Sequence, residues 1–258
     1  MNKVIFFGNG PLADATKNVL EKHCEIIFHA RSKEDLETAK EIKAKNPEAH
    51  GILASFGVMI KSDVLDVFEP EGILNIHPSL LPKYRGASPI ESAILNGDNK
   101  FSVSVMKLVK AMDAGPIYYQ TTLENLPLNK AVIYETLATT GTEWLVNNLE
   151  NLGTPTAQNE EEATFCGKFD RSMGELTPES DTAEKTFRKI IAYQDFPKPK
   201  YTFHGIKCII KKAHLAATGE EPAVAITCAD GQKIAVDELQ PEGRKNMDAK
   251  SFLNGYAK

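Results

Sequence analysis

The chain runs Glu71-Gly-Ile-Leu-Asn-Ile-His-Pro-Ser-Leu-Leu-Pro-Lys-Tyr-Arg-Gly-Ala-Ser-Pro89 from a short apolar strand, through a proline-rich loop, to the start of a helix. Asn75 and His77 lie two residues apart at the end of the strand, so in extended backbone both side chains project from one face. The two prolines that follow exclude helix, which predicts a stiff loop over 79–86. The stretch therefore indicates a strand, a loop and a helix arranged around an amide and an imidazole.

Strand and helix patterns alternate on both sides of this stretch over the first 150 residues. Short apolar runs predict strands, and apolar residues spaced three or four apart predict helices between them. The predicted strands are 4–7, 25–29, 51–56, 72–76, 102–109 and 116–123, and the predicted helices are 12–20, one opened by a capping box of Ser32 and Asp35, 61–68, 89–96 and 131–149. This alternation is typical of an α/β domain with a mainly parallel sheet, whose ligand crevice lies at the carboxyl ends of the strands.

The pattern changes after residue 153. Residues 154–175 are predicted to be a linker, because their proline, amide and glutamate side chains offer little to bury. Residues 176–258 begin with a helix opened by Asp181 and Glu184 and continue with short strands and turns, which predicts a small β-barrel domain of the OB-like kind.

Composition excludes several classes of protein. The 258 residues are 42% hydrophobic and 25% charged, which is ordinary for a globular protein, and no apolar run is long enough for a membrane helix. The N-terminus has no pattern of a signal peptide. Four widely separated cysteines form no CxxC pair, which argues against a zinc site and suits a reducing cytoplasm, so we expect a cytoplasmic protein without a metal.

The net charge of −5 is unevenly distributed. Residues 168–258 hold 15 Lys and Arg against 13 Asp and Glu, a balance of +2, which leaves −7 for the residues before them. A contact with a polyanion is therefore expected in the C-terminal part, where the basic residues cluster at Lys198, Lys200, Lys207, Lys211 and Lys212. The alternative interpretation is an exposed strand edge protected by lysines.

Three polar residues form the strongest candidate for catalysis. Transfer of an acyl group to an amine needs a donor to the oxyanion, an acceptor for the amine proton and a group that orients the acceptor. Asn75, His77 and Asp113 supply these roles in that order, and an attacking amine needs no serine or cysteine nucleophile. A loop histidine and a turn-capping aspartate are the alternatives, because spacing alone does not show that the two residues meet.

A glycine motif offers a second function. Gly8-Asn-Gly10 followed by Ala13 matches the dinucleotide-binding fingerprint between a strand and a helix. The second strand ends near Arg31 rather than at an acidic residue, which would suit the 2′-phosphate of NADP in an oxidoreductase. A tight first turn without nucleotide binding is the simpler interpretation.

Two separated motifs carry a family resemblance. Asn75-x-His77-Pro-Ser-Leu-Leu-Pro82-x-x-Arg85-Gly86-x-x-Pro89 and Met112-Asp113-Ala-Gly115 resemble the folate-dependent formyltransferases, which move a formyl group from 10-formyltetrahydrofolate to a primary amine. The resemblance implies a Rossmann-like formyltransferase domain over 1–153 with Asn75, His77 and Asp113 as its catalytic residues. It also implies 10-formyltetrahydrofolate as cosubstrate.

The resemblance implies binding residues as well. The folate candidates flank the catalytic residues and are Ala54, Phe56, Gly57, Val58, Met112, Gly115 and Pro116. The candidates for binding the acceptor are Ser79, Leu80, Leu81, Pro82, Lys83, Arg85, Gly86, Lys207 and Lys211.

The C-terminal segment narrows the subfamily. Residues 237–255, with their Leu-Gln-Pro stretch, basic pair and methionine, resemble the tail of the methionyl-tRNA formyltransferases. This implies that the acceptor is the α-amino group of initiator methionyl-tRNA, that the product serves translation initiation, and that 176–258 is a tRNA-binding β-barrel domain.

One departure from the subfamily keeps alternatives open. These enzymes usually carry a basic, proline- and glycine-rich insertion soon after the second strand, whereas here the chain passes directly from Phe28 into a helix with only Arg31 and Lys33 as basic residues. Either the chain is a compact form, which the tail favours, or its acceptor is an amino sugar attached to a nucleotide. A non-catalytic RNA-binding protein on the same scaffold is a third interpretation, which the intact trio disfavours.

Overall fold

The computed structural model describes residues 1–256, which form two compact units. The first unit contains residues 1–90 and 99–167, and the second contains residues 91–98 and the described residues from Lys168 onward. None of the helices within residues 1–256 is long and apolar enough to cross a membrane. The same residues contain no group of three or more His, Cys, Asp or Glu side chains placed to hold a metal ion.

A six-stranded sheet forms the centre of the first unit. Its strands lie in the order β2-β1-β3-β4-β6-β7, with β1 paired in parallel to β2 and β3, β3 in parallel to β4, and the last two pairs antiparallel. The mainly parallel, Rossmann-like sheet predicted from the sequence is therefore confirmed. The strands are β1 (Asn2–Gly8), β2 (Cys24–Ala30), β3 (His50–Ala54), β4 (Ile73–His77), β6 (Lys100–Lys107) and β7 (Ile117–Glu124), and a two-residue strand, β5 (Arg85–Gly86), lies outside this sheet.

Five helices begin within the first 150 residues, and they are α1 (Pro11–His23), α2 (Asp35–Lys45), α3 (Ser62–Leu65), α4 (Pro89–Asn96) and α5 (Lys130–Asn148). The predicted capping box before α2 is wrong in detail. The carboxylate of Asp35 accepts hydrogen bonds from the backbone N–H groups of Arg31 and Ser32, at 2.7 and 2.9 Å, so it closes a turn ahead of the helix. Only residues 31–34 join β2 to α2, which confirms that the chain has no long insertion there.

Part of the predicted linker, residues 154–167, packs against the first unit. The backbone of Thr156 exchanges two hydrogen bonds of 2.8 Å with Ile117 at the edge of the sheet. Strand β8 (Phe165–Cys166) then pairs in parallel with β5, and Cys166 is buried. Backbone groups provide these contacts, so side-chain composition gave no indication of them. Residues 154–167 thus belong to the first unit, and residues 168–175 are grouped with the second.

The second unit is built on a curled antiparallel sheet, a half-barrel. Its strand order is β11-β12-β10-β9, with β13 paired to β12, and register shifts in β10 between Ile210 and Ala213 increase the bend of the strand. Apolar residues that include Phe203, Ile226 and Phe252 fill its core. The elements are α6 (Ala183–Ala192), β9 (Lys200–Phe203), β10 (Ile206–Leu215), β11 (Ala225–Thr227), β12 (Lys233–Pro241), β13 (Met247–Asp248) and α7 (Ala249–Tyr256).

A buried carboxylate stands before α6. Thr182, rather than the predicted Asp181, caps this helix by accepting a hydrogen bond from the backbone N–H of Lys185. Asp181 is only 3% exposed and forms ion pairs with Lys185 and Lys189. Burial by itself would raise the pKa of Asp181, but hydrogen bonds from Lys185, Lys189 and Thr177 outweigh it and lower that pKa from 3.8 to about 2. The ionised form of Asp181 therefore stabilises the fold.

We predict that Asp181→Asn lowers the free energy of unfolding at pH 7 by about 1–2 kcal/mol. Because the folded pKa is depressed, this contribution is present above pH 4 and is lost as the pH falls from about 4 to about 2. Urea unfolding followed by circular dichroism across that range measures it. Glu179→Gln, a change at an exposed acid nearby, is the control, and equal unfolding of both variants at pH 7 would contradict the prediction.

Candidate active site

The carboxyl end of β4 carries the amide and the imidazole. Asn75 and His77 are 4% and 5% exposed, and they pair across the sheet with Met106 and Ser104 of β6. The side-chain amide of Asn75 has no hydrogen-bonding partner within residues 1–256. Its nitrogen and oxygen are not among the fully buried polar atoms that lack a partner, so the amide keeps contact with solvent and is available to bind an oxygen of a ligand.

The ring of His77 is held from one side by a backbone carbonyl. Its Nε2 lies 3.0 Å from the carbonyl oxygen of Tyr84. A carbonyl oxygen can only accept, so the neutral ring carries its proton on Nε2 and leaves the lone pair on Nδ1. The Tyr84 carbonyl, and not Asp113, therefore sets the tautomer of His77.

Asp113 lies on the other side of the same ring. Its Oδ2 is 3.8 Å from Nδ1 of His77, which is too long for a hydrogen bond but within the range of an ion pair. The same oxygen accepts a 2.8 Å hydrogen bond from the backbone N–H of Gly86. A proton that arrives at Nδ1 would thus face a fixed carboxylate. The structure brings together the two residues whose spacing in the sequence left their contact open.

The turn that carries Asp113 requires unusual backbone. Asp113 has a φ of +48°, which non-glycine residues rarely adopt. A Cβ atom on Gly115 would lie 1.8 Å from the carbonyl oxygen of Lys107, so only glycine fits there. Side-chain amide protons of Gln158 bind the carbonyl oxygens of Asp113 and Gly115, both at 2.7 Å. Gln158 was assigned to the linker from composition, and no signal in the sequence linked it to this turn.

The folate candidates divide into accessible and buried residues. Because β3 pairs with β4, the loop after Ala54 lies beside the end of β4. Within it Gly57 is exposed, whereas Ala54 is fully buried and Phe56 packs edge-on against Phe7 in the core at 5.7 Å. The side chains of Ala54 and Phe56 are therefore unavailable to a ligand, and only their backbone can line a pocket. Val58, Gly115 and Pro116 are buried or half-buried, and Met112 is 59% exposed.

The structure contradicts the prediction that Arg85 binds the acceptor, as it would through a tRNA phosphate. Its side chain is 2% exposed, and its guanidinium binds both carboxylate oxygens of Glu160 at 2.7 and 2.8 Å and Oε1 of Gln158 at 2.8 and 3.0 Å. The hydrogen bonds between Arg85 and Glu160 raise the pKa of the guanidinium and lower that of the carboxyl, so both groups stay charged. Four of its five N–H groups are occupied by these bonds, and its burial keeps the guanidinium from a phosphate in solvent.

The other loop candidates also divide by exposure. The hydroxyl of Ser79 donates to the carbonyl oxygen of Lys83 at 2.7 Å, and Leu81 is buried, so both stabilise the loop. The backbone N–H of Gly86 is used by Asp113. Leu80 and Lys83 are exposed and Pro82 is half-buried, so these three remain able to contact an acceptor.

The C-terminal basic patch is partly neutralised by nearby acids. Lys207 and Lys200 lie 2.6 and 3.6 Å from Glu175, and Lys212 lies 3.4 Å from Glu238. Lys211 has no ion pair among the residues that the structure describes. Of the two lysines predicted to bind the acceptor, Lys211 is therefore the freer cation.

The glycine motif of the first turn has a structural explanation. A Cβ atom on Gly8 would lie 2.6 Å from the carbonyl oxygen of Ala54, and Gly10 has a φ of +91° before the helix that starts at Pro11. Close backbone approach and a left-handed conformation both favour glycine. These contacts support the interpretation as a tight turn.

Comparisons with known proteins match both parts of the chain. Residues 9–149 match the model of the family described as formyl transferase, and residues 174–257 match the model of the formyl transferase C-terminal domain. The methionyl-tRNA formyltransferase of Campylobacter lari is 31% identical over 256 residues, which cover 94% of this chain and 82% of the relative.

Solved structures share the fold at lower sequence identity. The methionyl-tRNA formyltransferase of Clostridium thermocellum has a TM-score of 0.67 at 17% identity and covers 93% of this chain and 98% of its own. HypX from Aquifex aeolicus in complex with tetrahydrofolic acid has a TM-score of 0.74 at 17% identity, over all of this chain and 48% of its own. The N-formyltransferase of Helicobacter canadensis, in complex with folinic acid and dTDP-3-aminofucose, has a TM-score of 0.65 at 16% identity, over 92% of this chain and 99% of its own.

The burial of Arg85 leads to a prediction about stability. Arg85→Met should lower the free energy of unfolding by roughly 1–3 kcal/mol, because Gln158 and Glu160 lose the donors that satisfy them. Lys83→Met, an exposed change two residues away, should stay within about 0.5 kcal/mol of the unaltered protein. Urea unfolding followed by the fluorescence of Trp144, which lies in the first unit, measures both. Equal losses in the two variants would show that Arg85 has no structural role.

Proposed function

The chain belongs to the formyl transferase family, and we propose that it transfers the formyl group of 10-formyltetrahydrofolate to the α-amino group of initiator methionyl-tRNA in the cytoplasm, for translation initiation. The observation that carries the choice of acceptor is similarity along nearly the whole chain to a methionyl-tRNA formyltransferase, including the C-terminal domain. The unpartnered amide of Asn75 beside His77 supports the reaction type.

The proposed mechanism assigns one step to each polar residue. The folate supplies the formyl carbon, which the amine of the acceptor attacks. Asn75 donates a hydrogen bond to the formyl oxygen as negative charge develops on it. Nδ1 of His77 takes the proton from the amine, since Nε2 is already bonded to the Tyr84 carbonyl. Asp113, at 3.8 Å from Nδ1, stabilises the imidazolium that results.

The folate is proposed to bind on the two flanks of Asn75. On one flank lies the loop after β3, with exposed Gly57, half-buried Val58 and backbone of Ala54 and Phe56. On the other lies the turn from Met112 to Pro116, which also carries Asp113. Met112 contributes an exposed apolar side chain that could cover a planar ring.

A second acceptor has an observation in its favour. The short connection of residues 31–34 between β2 and α2 leaves little chain there to grip the end of a tRNA. A structural neighbour with the same fold is an N-formyltransferase in complex with a nucleotide-linked amino sugar. The alternative function is therefore N-formylation of such a sugar by the same Asn75, His77 and Asp113.

A direct assay distinguishes the two acceptors. The purified full chain is incubated with 10-formyltetrahydrofolate and either charged initiator methionyl-tRNA or a panel of nucleotide-linked amino sugars, and formyl transfer is measured by mass. We expect formylated methionyl-tRNA. Transfer only to a sugar would overturn the choice of acceptor while leaving the chemistry, and transfer to neither would overturn the proposed function.

In the same assay we predict that Asn75→Ala lowers kcat by roughly 10² to 10³, because the oxyanion loses its side-chain donor. Asn151→Ala, an exposed asparagine after α5, is the matched control and should keep full turnover. Circular dichroism checks that both variants are folded. A folded Asn75→Ala variant with unaltered kcat would remove Asn75 from the mechanism.

Binding of tRNA should also depend on Lys211. Each lysine that neutralises a phosphate adds about 1 to the slope of log K against log salt concentration, so Lys211→Ala should reduce that slope by about 1. Fluorescence anisotropy of labelled initiator tRNA between about 50 and 200 mM salt gives the slope. Lys22→Ala on α1 is the control for loss of an exposed charge. Identical slopes in both variants would exclude Lys211 from the interface.

A further inference from the structure

We propose that Arg85, Gln158 and Glu160 act as positioning residues for Asp113. Arg85 lies 73 positions before Gln158 and 75 before Glu160 in the sequence. The three side chains meet beside the turn that carries the carboxylate of Asp113. The proposal rests on the proposed formyl transfer, which is the reaction that Asp113 would serve.

The hydrogen bonds of Gln158 are fully used in this arrangement. Both protons of its Nε2 go to carbonyl oxygens of the turn, those of Asp113 and Gly115, at 2.7 Å each. Its Oε1 accepts from Nε and Nη2 of Arg85, at 3.0 and 2.8 Å. With its donors and its acceptor all occupied, the amide has one orientation, and it holds two carbonyls of a backbone that is in an unfavourable left-handed conformation at Asp113.

Arg85 in turn fixes Gln158 and the other contact of Asp113. Its guanidinium is anchored by a bidentate pair with Glu160 at 2.7 and 2.8 Å, a geometry that a lysine could not reproduce. The residue after Arg85 is Gly86, whose backbone N–H donates to Oδ2 of Asp113. The hydrogen bonds therefore close a ring: from the Asp113 carboxylate to Gly86, along the chain to Arg85, and through Gln158 back to the Asp113 carbonyl.

This closed path of hydrogen bonds gives residues 158–160 a functional role. The distance of 3.8 Å between Asp113 and Nδ1 of His77 depends on where the turn is held, and displacement of a catalytic group by about 1 Å can cost roughly 10² in rate. Strand β4 fixes the backbone of His77, and among the described residues Gln158 donates to neither His77 nor the Tyr84 carbonyl that holds its imidazole. Loss of the hydrogen bonds that Gln158 donates should therefore move Asp113 relative to His77 and leave the ends of the strands in place.

The test uses Gln158→Glu, which keeps the shape of the side chain and the acceptor for Arg85 but loses the donor to the two carbonyls. We expect kcat for formyl transfer to fall by about 10² with KM for 10-formyltetrahydrofolate within about threefold of the unaltered protein. As the pH falls from about 8 to about 5, the ratio of variant to unaltered kcat should rise, because the carboxyl group introduced by Gln158→Glu regains a donor when it is protonated. Gln158→Leu, which cannot regain one, should show a constant ratio.

A readout that needs no turnover accompanies the kinetics. Hydrogen exchange of the Gly86 amide, followed by NMR, reports the contact with Asp113, and we expect it to speed up at least about tenfold in both variants. Exchange of the Val105 amide in β6 should stay unchanged, which shows that the sheet remains closed. Asn46→Asp is the matched control, since Asn46 also donates its side-chain amide to a carbonyl, that of Ile42, but precedes the amino end of β3, whereas the site lies at the carboxyl end of the neighbouring parallel strand β4.

The outcomes separate the two proposals. Unaltered kcat and unaltered Gly86 exchange in Gln158→Glu would overturn the positioning role. Faster exchange of Gly86 with full kcat would also overturn it, because the ring would then be structural only. If the unaltered protein transfers formyl to neither acceptor, the proposed function fails, and the exchange of Gly86 alone decides whether the ring holds Asp113.

Discussion

The site depends on the pairing of β4 on both of its edges. Parallel pairing to β3 and antiparallel pairing to β6 satisfy the backbone of Ile73–His77, so this strand cannot shift without breaking hydrogen bonds on two sides. A shift by one residue would also send Asn75 and His77 to the opposite face and bring Ile76 to theirs. The apolar residues that alternate with the polar pair therefore determine where the chemistry can occur, and every other group of the site is placed relative to this strand.

Asp113 is placed in a different way, by a turn and not by a strand. Its backbone has a left-handed conformation that costs free energy, and glycine is required two residues later because a Cβ atom there would lie 1.8 Å from the carbonyl oxygen of Lys107. Such a turn needs outside support, which comes from the backbone of Gly86 and the side chain of Gln158. The buried, charged Arg85 belongs to this support through its hydrogen bonds to Gln158. Arg85 is costly to desolvate, but its guanidinium donates four hydrogen bonds to the carboxylate of Glu160 and the amide oxygen of Gln158.

The sequence predicted the parts of the molecule that depend on local patterns. Apolar runs and helical periodicity placed the strands and long helices of the first unit to within a few residues, and motif resemblance identified Asn75, His77 and Asp113. Prediction from the sequence failed where groups that are distant along the chain meet in the fold. The carbonyl of Tyr84, which sets the tautomer of His77, is invisible in side-chain chemistry, and Gln158 lies in a stretch whose composition is typical of a linker. Arg85 was predicted to bind the acceptor because a sequence shows its charge. The sequence does not show that Arg85 is buried and paired with Glu160.

The tautomer of His77 constrains the direction from which the amine arrives. With Nε2 bonded to the Tyr84 carbonyl, only Nδ1 can accept a proton, and Nδ1 faces the Asp113 turn. In the proposed reaction the amine therefore approaches Nδ1 from the side of that turn, on the face of β4 that Asn75 shares. An acceptor that reaches this position needs only a slender end that carries a primary amine, which an aminoacyl group and an amino sugar both provide. Under the proposed mechanism, selection between them comes from contacts away from Asn75, His77 and Asp113. We propose Leu80 and Lys83, exposed in the loop after β4 of the first unit, for such contacts. In the second unit Lys211, which has no ion pair within residues 1–256, is proposed to favour a polyanion over a small sugar nucleotide.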